Sequence, residues 1–455
     1  MALNRRSFLA GGTLFAAGAA AGGMEVPPAV RKAAPSPFHA HGEESYTPPP
    51  PEKGVTRAVA EPVLQCPAPD SMGVAWAVSG LANGAVEFAD NPRLENATAV
   101  RCGGFGMTAF DDQALQVRLT GLRPGTRYWY RTITTPIVSY RNSYSIRLGA
   151  QETGAVHTFV TPDASVPARF CVMNDTHAVW SQFDKITRKI LAINPALTVW
   201  NGDASNSTEE KRTAVEIFLD PPVARKDYAA DVPLLFTNGN HDFRGKWNRH
   251  LDEVMMPRLP AERAARDWEL KRNFAIRLGD VAMIGMDTGE DKPDWHPRWM
   301  GLANFTPYRK AQTAWLRDAL ARPEIDGAPY IVVFCHIPLF DAYPEANPGD
   351  RLANWADWQK DCADQWGPLF AAHGVQLVVA AHKHRYRYDP PTPDRPWAQI
   401  VGGGPGRNAW NYPTVIEGEA ADGRLKLMVH DVLRDKVAGT HVFKPRRRGF
   451  LGRLG

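Results

Sequence analysis

The chain has 455 residues, 44% hydrophobic and 22% charged, which is the balance of a globular protein with room for two ordinary domains. No apolar run reaches the ~18–20 residues of a membrane-spanning helix, so no transmembrane segment is expected in the mature chain. The formal net charge of +4 sits at the ends, in Arg5, Arg6, Arg31 and Lys32 and in the tail from Lys444 to Arg453, so the acidic body between them excludes a nucleic-acid-binding footprint.

In chain order, Asn4-Arg5-Arg6-Ser7-Phe8-Leu9 precedes a weakly apolar stretch rich in Ala and Gly that runs to Gly23. It resembles a twin-arginine export signal. Residues 1–34 are therefore expected to engage the bacterial twin-arginine export machinery, with a periplasmic or secreted destination. Residues 35–57 hold four consecutive prolines, Pro48 to Pro51, and read as a stiff extended linker.

Residues 58–162 carry short alternating strands with turn punctuation. Val74 and Trp76 recur at period two, and a Pro124-Gly125 turn leads into Tyr128 and Tyr130. The pattern predicts an all-β sandwich and resembles a fibronectin type III domain, with Trp76 in its core and the tyrosine cluster supplying a tyrosine corner. Of the five cysteines, Cys66 and Cys102 share this region and are candidates for a disulfide, while Cys171 and Cys335 lie in apolar runs and read as buried hydrophobes. No C-x-x-C pair is present, so a thiolate zinc site is not expected.

From 166 to 443 the texture changes to nearly continuous apolar runs alternating with helical stretches, which predicts an α/β domain built on largely parallel strands. Residues 444–455 form a basic tail. Five of the apolar runs end in residues that bind cations: Asp175 and His177, Asp203, Asn240 with His241 and Asp242, His336, and finally His382 and His384. Each alone is compatible with turn chemistry. Open α/β sheets, however, gather ligands beyond the carboxyl ends of their strands, so five such ends converge on one edge and predict a metal site. Strand alternation is expected to put His382 and His384 on one side, with Lys383 turned away.

Order and spacing of these motifs, with "NFAIRLGDVAMIGMDT" (273–288) and "QTAWLRDAL" (312–320), resemble the calcineurin-like metallophosphoesterases over 168–386, continuing to about Val442. The resemblance implies a sandwich of two mixed sheets flanked by helices, behind the β-sandwich that purple acid phosphatases also carry. It implies two ions, with Asp175, His177 and His384 on one, Asn240, His336 and His382 on the other, and Asp203 bridging. Imidazole and carboxylate donors fit Mn, Fe, Zn or Co. His241 would serve as general acid or charge stabiliser at the leaving group, with Asp242 orienting its ring.

Two departures stand out. The metal-binding tyrosine of purple acid phosphatases has Asn206 in its place, so the metal shell is of the non-purple kind. The glycine usual before the first histidine of the last motif is Ala381. Asn206, His296 and Arg298 are candidate substrate contacts, Trp299 lies on the same loop, and Arg244 and Trp180 lie near the motifs without an assigned role. "VGGGPG" (401–406) lacks the Lys and Ser/Thr of a P-loop and reads as a tight turn at the metal edge.

Together these features predict an exported binuclear-metal phosphoesterase acting on a small phosphate ester, a phosphomonoester first, by in-line attack of a metal-bridging hydroxide. One alternative is a phosphodiesterase or nucleotidase acting on nucleotides or lipid head groups. Another is a degenerate cell-envelope binding protein, against which the intact ligand set stands.

Overall fold

Three of the apolar runs that carry site motifs, Ala168–Met173, Leu197–Asn201 and Leu234–Thr237, lie side by side in parallel. In the computed structural model, which describes residues 49–104, 106–257, 262–265, 268–341, 355–406 and 411–446, they form the middle of a nine-stranded sheet. The expected export signal, most of the proline linker and the last nine residues of the basic tail fall outside the described residues. The antiparallel strands Thr414–Ala421, Arg424–Asp431 and Lys436–Phe443 extend the sheet on one side.

The other side is extended by the N-terminal region. Strand Val63–Ala68 pairs in parallel with Leu234–Thr237 and is followed by Ser71–Ala77 and Ala114–Thr120. Strand Ser71–Ala77 is therefore buried on both faces rather than one. Met72, Val74 and Trp76 face the sandwich core, whereas Ala75 and Ala77 join Phe183, Ile186 and Trp200 under the helices. The second sheet of the front region is built on Ala82–Ala89, Thr98–Arg101, Arg127–Asn142 and His157–Val160.

Trp76 is fully buried and donates its indole N–H to Thr134 at 3.0 Å. Tyr128 makes the tyrosine corner, its hydroxyl accepting from the Arg123 N–H at 3.0 Å, and Tyr130 reaches out of its sheet to the Ala230 carbonyl at 2.7 Å. The end of the expected linker is pinned as well, with Glu52 bridging to Gly149. All five cysteines are free, so the possible Cys66–Cys102 pairing is not made; Cys66 is half-buried on an otherwise buried strand and Cys102 is buried in the sandwich core.

A six-stranded sheet lies across from the first, with Val281–Gly285, Tyr330–Phe334, Leu377–Ala380 and Ala398–Val401 parallel in its centre. Phe170, Val172 and Val199 of one sheet pack on Met283, Val332, Phe334 and Val379 of the other. Helices close both outer faces. Trp180–Ile193 and Lys211–Phe218 cover the nine-stranded sheet, and Phe305–Leu320 with Trp355–His373 cover the six-stranded one. This mixed α/β sandwich puts the carboxyl ends of five parallel strands on one rim. Among the described residues no helix is long and apolar enough to cross a membrane.

Candidate metal centre

The seven candidate ligands meet at that rim. Their donor atoms fall into two groups that share Asp203: Asp175, His177, Asp203 and His384 in one, Asp203, His336 and His382 in the other. Asn240 joins the second group, its Oδ1 lying 3.2 Å from His336 Nε2 and 2.9 Å from His382 Nδ1. Asp203 Oδ2 stands 3.4 Å from His177 Nε2 and 3.2 Å from His336 Nε2.

Five of the seven, Asp175, His177, Asp203, His382 and His384, have φ between 46° and 70°. The left-handed region is costly for residues with a side chain and is held only where surrounding structure demands it. Here three of the five strands break into left-handed turns at their ends, and those turns carry the donors, whereas Asn240 keeps a right-handed conformation. His382 and His384 follow a strand that already stops at Ala380. They share a side because both turn left-handed, which corrects the expectation from strand alternation. Lys383 is turned away and pairs with Asp341 at 2.7 Å. Ala381 keeps a negative φ, so an alanine there carries no left-handed backbone strain.

The atoms not needed for ligation are tied down. Asp175 Oδ2 accepts from the His382 N–H at 3.0 Å and from Asn174 Nδ2 at 2.6 Å, which leaves Oδ1 facing the imidazoles, 3.3 Å from His384 Nε2. Asp203 Oδ1 accepts from the His241 N–H at 2.8 Å. His336 Nδ1 contacts the Asn201 carbonyl at 2.9 Å, and His177 Nδ1 contacts Asn206 Oδ1 at 3.1 Å, orienting the Nε2 atoms inward. Gly404 backs the His384 ring so closely that an added Cβ would lie 2.7 Å from it, which makes "VGGGPG" a wall of the site.

The electrostatics call for a cation. His177 Nε2 and His384 Nε2 approach to 3.0 Å, two ring nitrogens aimed at a common point. Burial opposes charge on His336, yet the Asp203 carboxylate pushes it up to about 10. Burial and the neighbouring His336 charge push His382 down to about 3. Burial would raise Asp175, but His384 and His336 hold it below its usual range. Two buried carboxylates, four imidazoles, an amide oxygen and no thiolate suit a pair of hard or borderline ions.

Asp242 does not orient His241. Its Oδ2 accepts from the Asp203 and Gly239 N–H groups at 2.8 Å each, and its Oδ1 from the Ala204 N–H at 3.1 Å, so it fastens two turns together. Burial and the Asp203 charge push it up to about 7. The His241 ring is placed instead by the Asn206 carbonyl, 3.0 Å from Nδ1, and by Arg244, whose Nη1 donates to Nε2 at 2.8 Å. Arg244 is in turn clamped by Glu290 and Asp291, both buried. Those two acids sit in "GED" without any motif to flag them. His296 and Arg298 lie on the outer loop, where the Arg298 N–H meets His296 Nδ1 at 3.1 Å, and nothing bonds them to the cluster among the described residues.

Residues 168–386 match the family model described as calcineurin-like phosphoesterase. Purple acid phosphatase 15 of Arabidopsis thaliana is 22% identical over 298 residues, 59% of this chain and 48% of that protein, so the chain spans about half the length of this curated relative. The purple acid phosphatase PPD1 from yellow lupin (Lupinus luteus) seeds superposes with a TM-score of 0.58 at 13% identity, over 86% of this chain and 75% of the other, and thus shares its fold. A dimetal phosphatase from Danio rerio aligns over 62% of this chain and all of its own, at 12% identity and a TM-score of 0.42.

Proposed function

We infer that this chain, which carries a calcineurin-like phosphoesterase domain at residues 168–386, is a metal-dependent phosphoric ester hydrolase. The observation that carries the reading is the double group of donors around Asp203, with an Asp175 oxygen and imidazole nitrogens converging on one point. Asp175, His177 and His384 would hold one ion, Asn240, His336 and His382 the other, and Asp203 both. Bound there, such ions would neutralise phosphate oxygens and lower the pKa of a water near the phosphorus.

The protein's own groups do the rest. Asn206 and the Asn201 carbonyl fix the directions of His177 and His336. His241 keeps Nδ1 on the Asn206 carbonyl and accepts from Arg244 at Nε2, so the pair would present the Arg244 guanidinium to a departing alkoxide. Arg244 contributes fixed positive charge on the same side. Small phosphomonoesters are the favoured substrates, and the Arg5-Arg6 motif supports export by the twin-arginine route.

Metal analysis of the purified full chain, with assays on 4-nitrophenyl phosphate and bis(4-nitrophenyl) phosphate, tests this. Two equivalents of transition metal and faster monoester turnover are expected. A metal-free chain inert on both esters after Mn, Fe, Zn or Co is supplied would refute the hydrolase reading. Faster diester turnover would move the substrate class.

A further inference from the structure

His382 and His384 sit on strained backbone. The Lys383 N–H donates to the Ala381 carbonyl at 2.7 Å and closes a three-residue turn around His382, whose φ is 70°. Turns of this size with a positive central φ are rare and strained, and His384 adds a second left-handed residue at φ 55°. Such conformations persist only where the surroundings over-determine them. On the inner side the segment is held by the Ala381 N–H, which donates to the His336 carbonyl at 2.8 Å, and by the His382 N–H on Asp175. On the outer side it is held by the side chain of Lys383.

Lys383 reaches the Asp341 carboxylate at 2.7 Å, and the same carboxylate accepts from Arg387 Nη1 at 2.7 Å. Asp341 lies on the loop that follows His336, so it joins the segment leaving one candidate ligand to the turn carrying two more. The Asp341 side chain is 2% exposed, which sets this contact apart from solvated surface pairs that hold little. Its loop is fixed by the buried Gln399, whose Oε1 accepts from the Leu339 N–H at 2.9 Å. Gln399 Nε2 donates to the Phe340 carbonyl at 2.7 Å and to Asp389 Oδ2 at 2.8 Å. Arg387 closes the ring, with Nη2 on the Phe340 carbonyl at 2.8 Å and Nε on Asp389 Oδ2 at 3.1 Å. Two acids, Asp341 and Asp389, thus face two cations, Lys383 and Arg387, and none of the four belongs to the donor groups themselves.

We propose that Asp341 is a positioning residue of the metal centre. Acting through Lys383, it holds the turn that presents His382 to one ion and His384 to the other. The effect on the ions rests on the metal-centre reading; the restraint on the turn does not.

Competition titration of the full chain against a chelator, with zinc as the probe ion, tests the assignment. Asp341→Asn and Lys383→Met, the latter at a side chain that touches solvent, should each weaken zinc binding about 10-fold. Because the two act in series, the double variant should bind no more weakly than Asp341→Asn alone, and Lys383→Arg, which restores the charge pair, should come within about 3-fold of the parent. Parent affinity in both single variants, or losses that add in full, overturns the proposal. Amide hydrogen exchange over 381–386 in the metal-free full chain reads the turn without the ions. Faster exchange in Asp341→Asn is expected there, and parent rates overturn the proposal. A parent that binds no zinc, but whose 381–386 segment loses protection in Asp341→Asn, would keep the restraint and sink the metal reading. Zinc bound equally by parent and variants would do the reverse.

Discussion

Arg244 donates from Nη1 to His241 Nε2 at 2.8 Å while its other edge grips Glu290, Nε to Oε2 at 3.1 Å and Nη2 to Oε1 at 2.9 Å. A planar fork can serve both partners at once, which an ammonium cannot. Arg244→Ala leaves the buried Glu290 carboxylate unpaired and His241 unrestrained. We expect kcat on a phosphomonoester to fall about 10- to 100-fold, with little recovery in Arg244→Lys. Steady-state kinetics of the three proteins decide this, and full activity in the alanine variant would remove Arg244 from the site.

Asp203 is common to both donor groups, so its loss is expected to weaken both ions. Asp203→Asn should lower activity by at least about 100-fold and reduce bound metal below two equivalents, with the circular dichroism spectrum unchanged. Emission spectrometry on the dialysed variant gives the count. Undiminished metal would show that the carboxylate is not shared.

Gly404 packs against the His384 ring with no space for a methyl. In Gly404→Ala the ring must shift, and a misplaced imidazole should cost about 10-fold in metal affinity. A competition titration against a chelator reads this directly, and unaltered affinity would mean that the loop yields instead.

In the front sandwich, a Cβ at Gly84 would lie 2.3 Å from Trp76 Cζ2. Overpacking of this kind typically costs about 1–3 kcal/mol, so Gly84→Ala should lower the midpoint of denaturant unfolding. Trp76→Ala, which empties the same site, should cost about 3–5 kcal/mol. A Gly84→Ala midpoint equal to that of the parent would contradict the packing.

His157 stands between Asp231, 3.2 Å from Nδ1, and Glu61, 3.0 Å from Nε2. Burial opposes its charge, but these two carboxylates overcome that and raise its pKa. A raised folded-state pKa gives stability that is complete below the unfolded value of about 6.5 and fades as pH climbs through the folded one. Both carboxylates are substantially solvated, which limits the effect to on the order of 1 kcal/mol. Melting temperatures at pH 5.5 and 9 should therefore differ by less in His157→Gln than in the parent; equal differences would refute the coupling.

The candidate ligands are legible in the sequence because strand-end chemistry is local. An apolar run followed by Asp-x-His or Gly-Asn-His needs no knowledge of distant partners. The left-handed turns at Asp175, His177, Asp203, His382 and His384 are not legible, because residue type alone does not announce a conformation that surrounding structure imposes. For the same reason Asp242 reads as a partner of its neighbour His241, when its carboxylate is spent on backbone N–H groups contributed largely by the turn at Asp203. Glu290 and Asp291 reach the site through Arg244, 46 and 47 residues away, and such a pairing leaves no periodic trace. The front region illustrates the limit of alternation. Met72, Val74 and Trp76 mark one buried face, but the small residues Ala75 and Ala77 hide a second.

The parallel pairing of Val63–Ala68 with Leu234–Thr237 also makes the two halves of the chain inseparable in a practical sense. A chain cut at residue 166 would expose the hydrogen-bonding edge of Leu234–Thr237, the strand that leads into Asn240, together with the apolar surface that Val63, Ala75 and Ala114 cover. An open, apolar edge recruits other strands, so the catalytic half expressed alone should aggregate. The front region is the selvedge of the larger sheet, and exchanging it for another sandwich would require a donor strand that mates with the same edge.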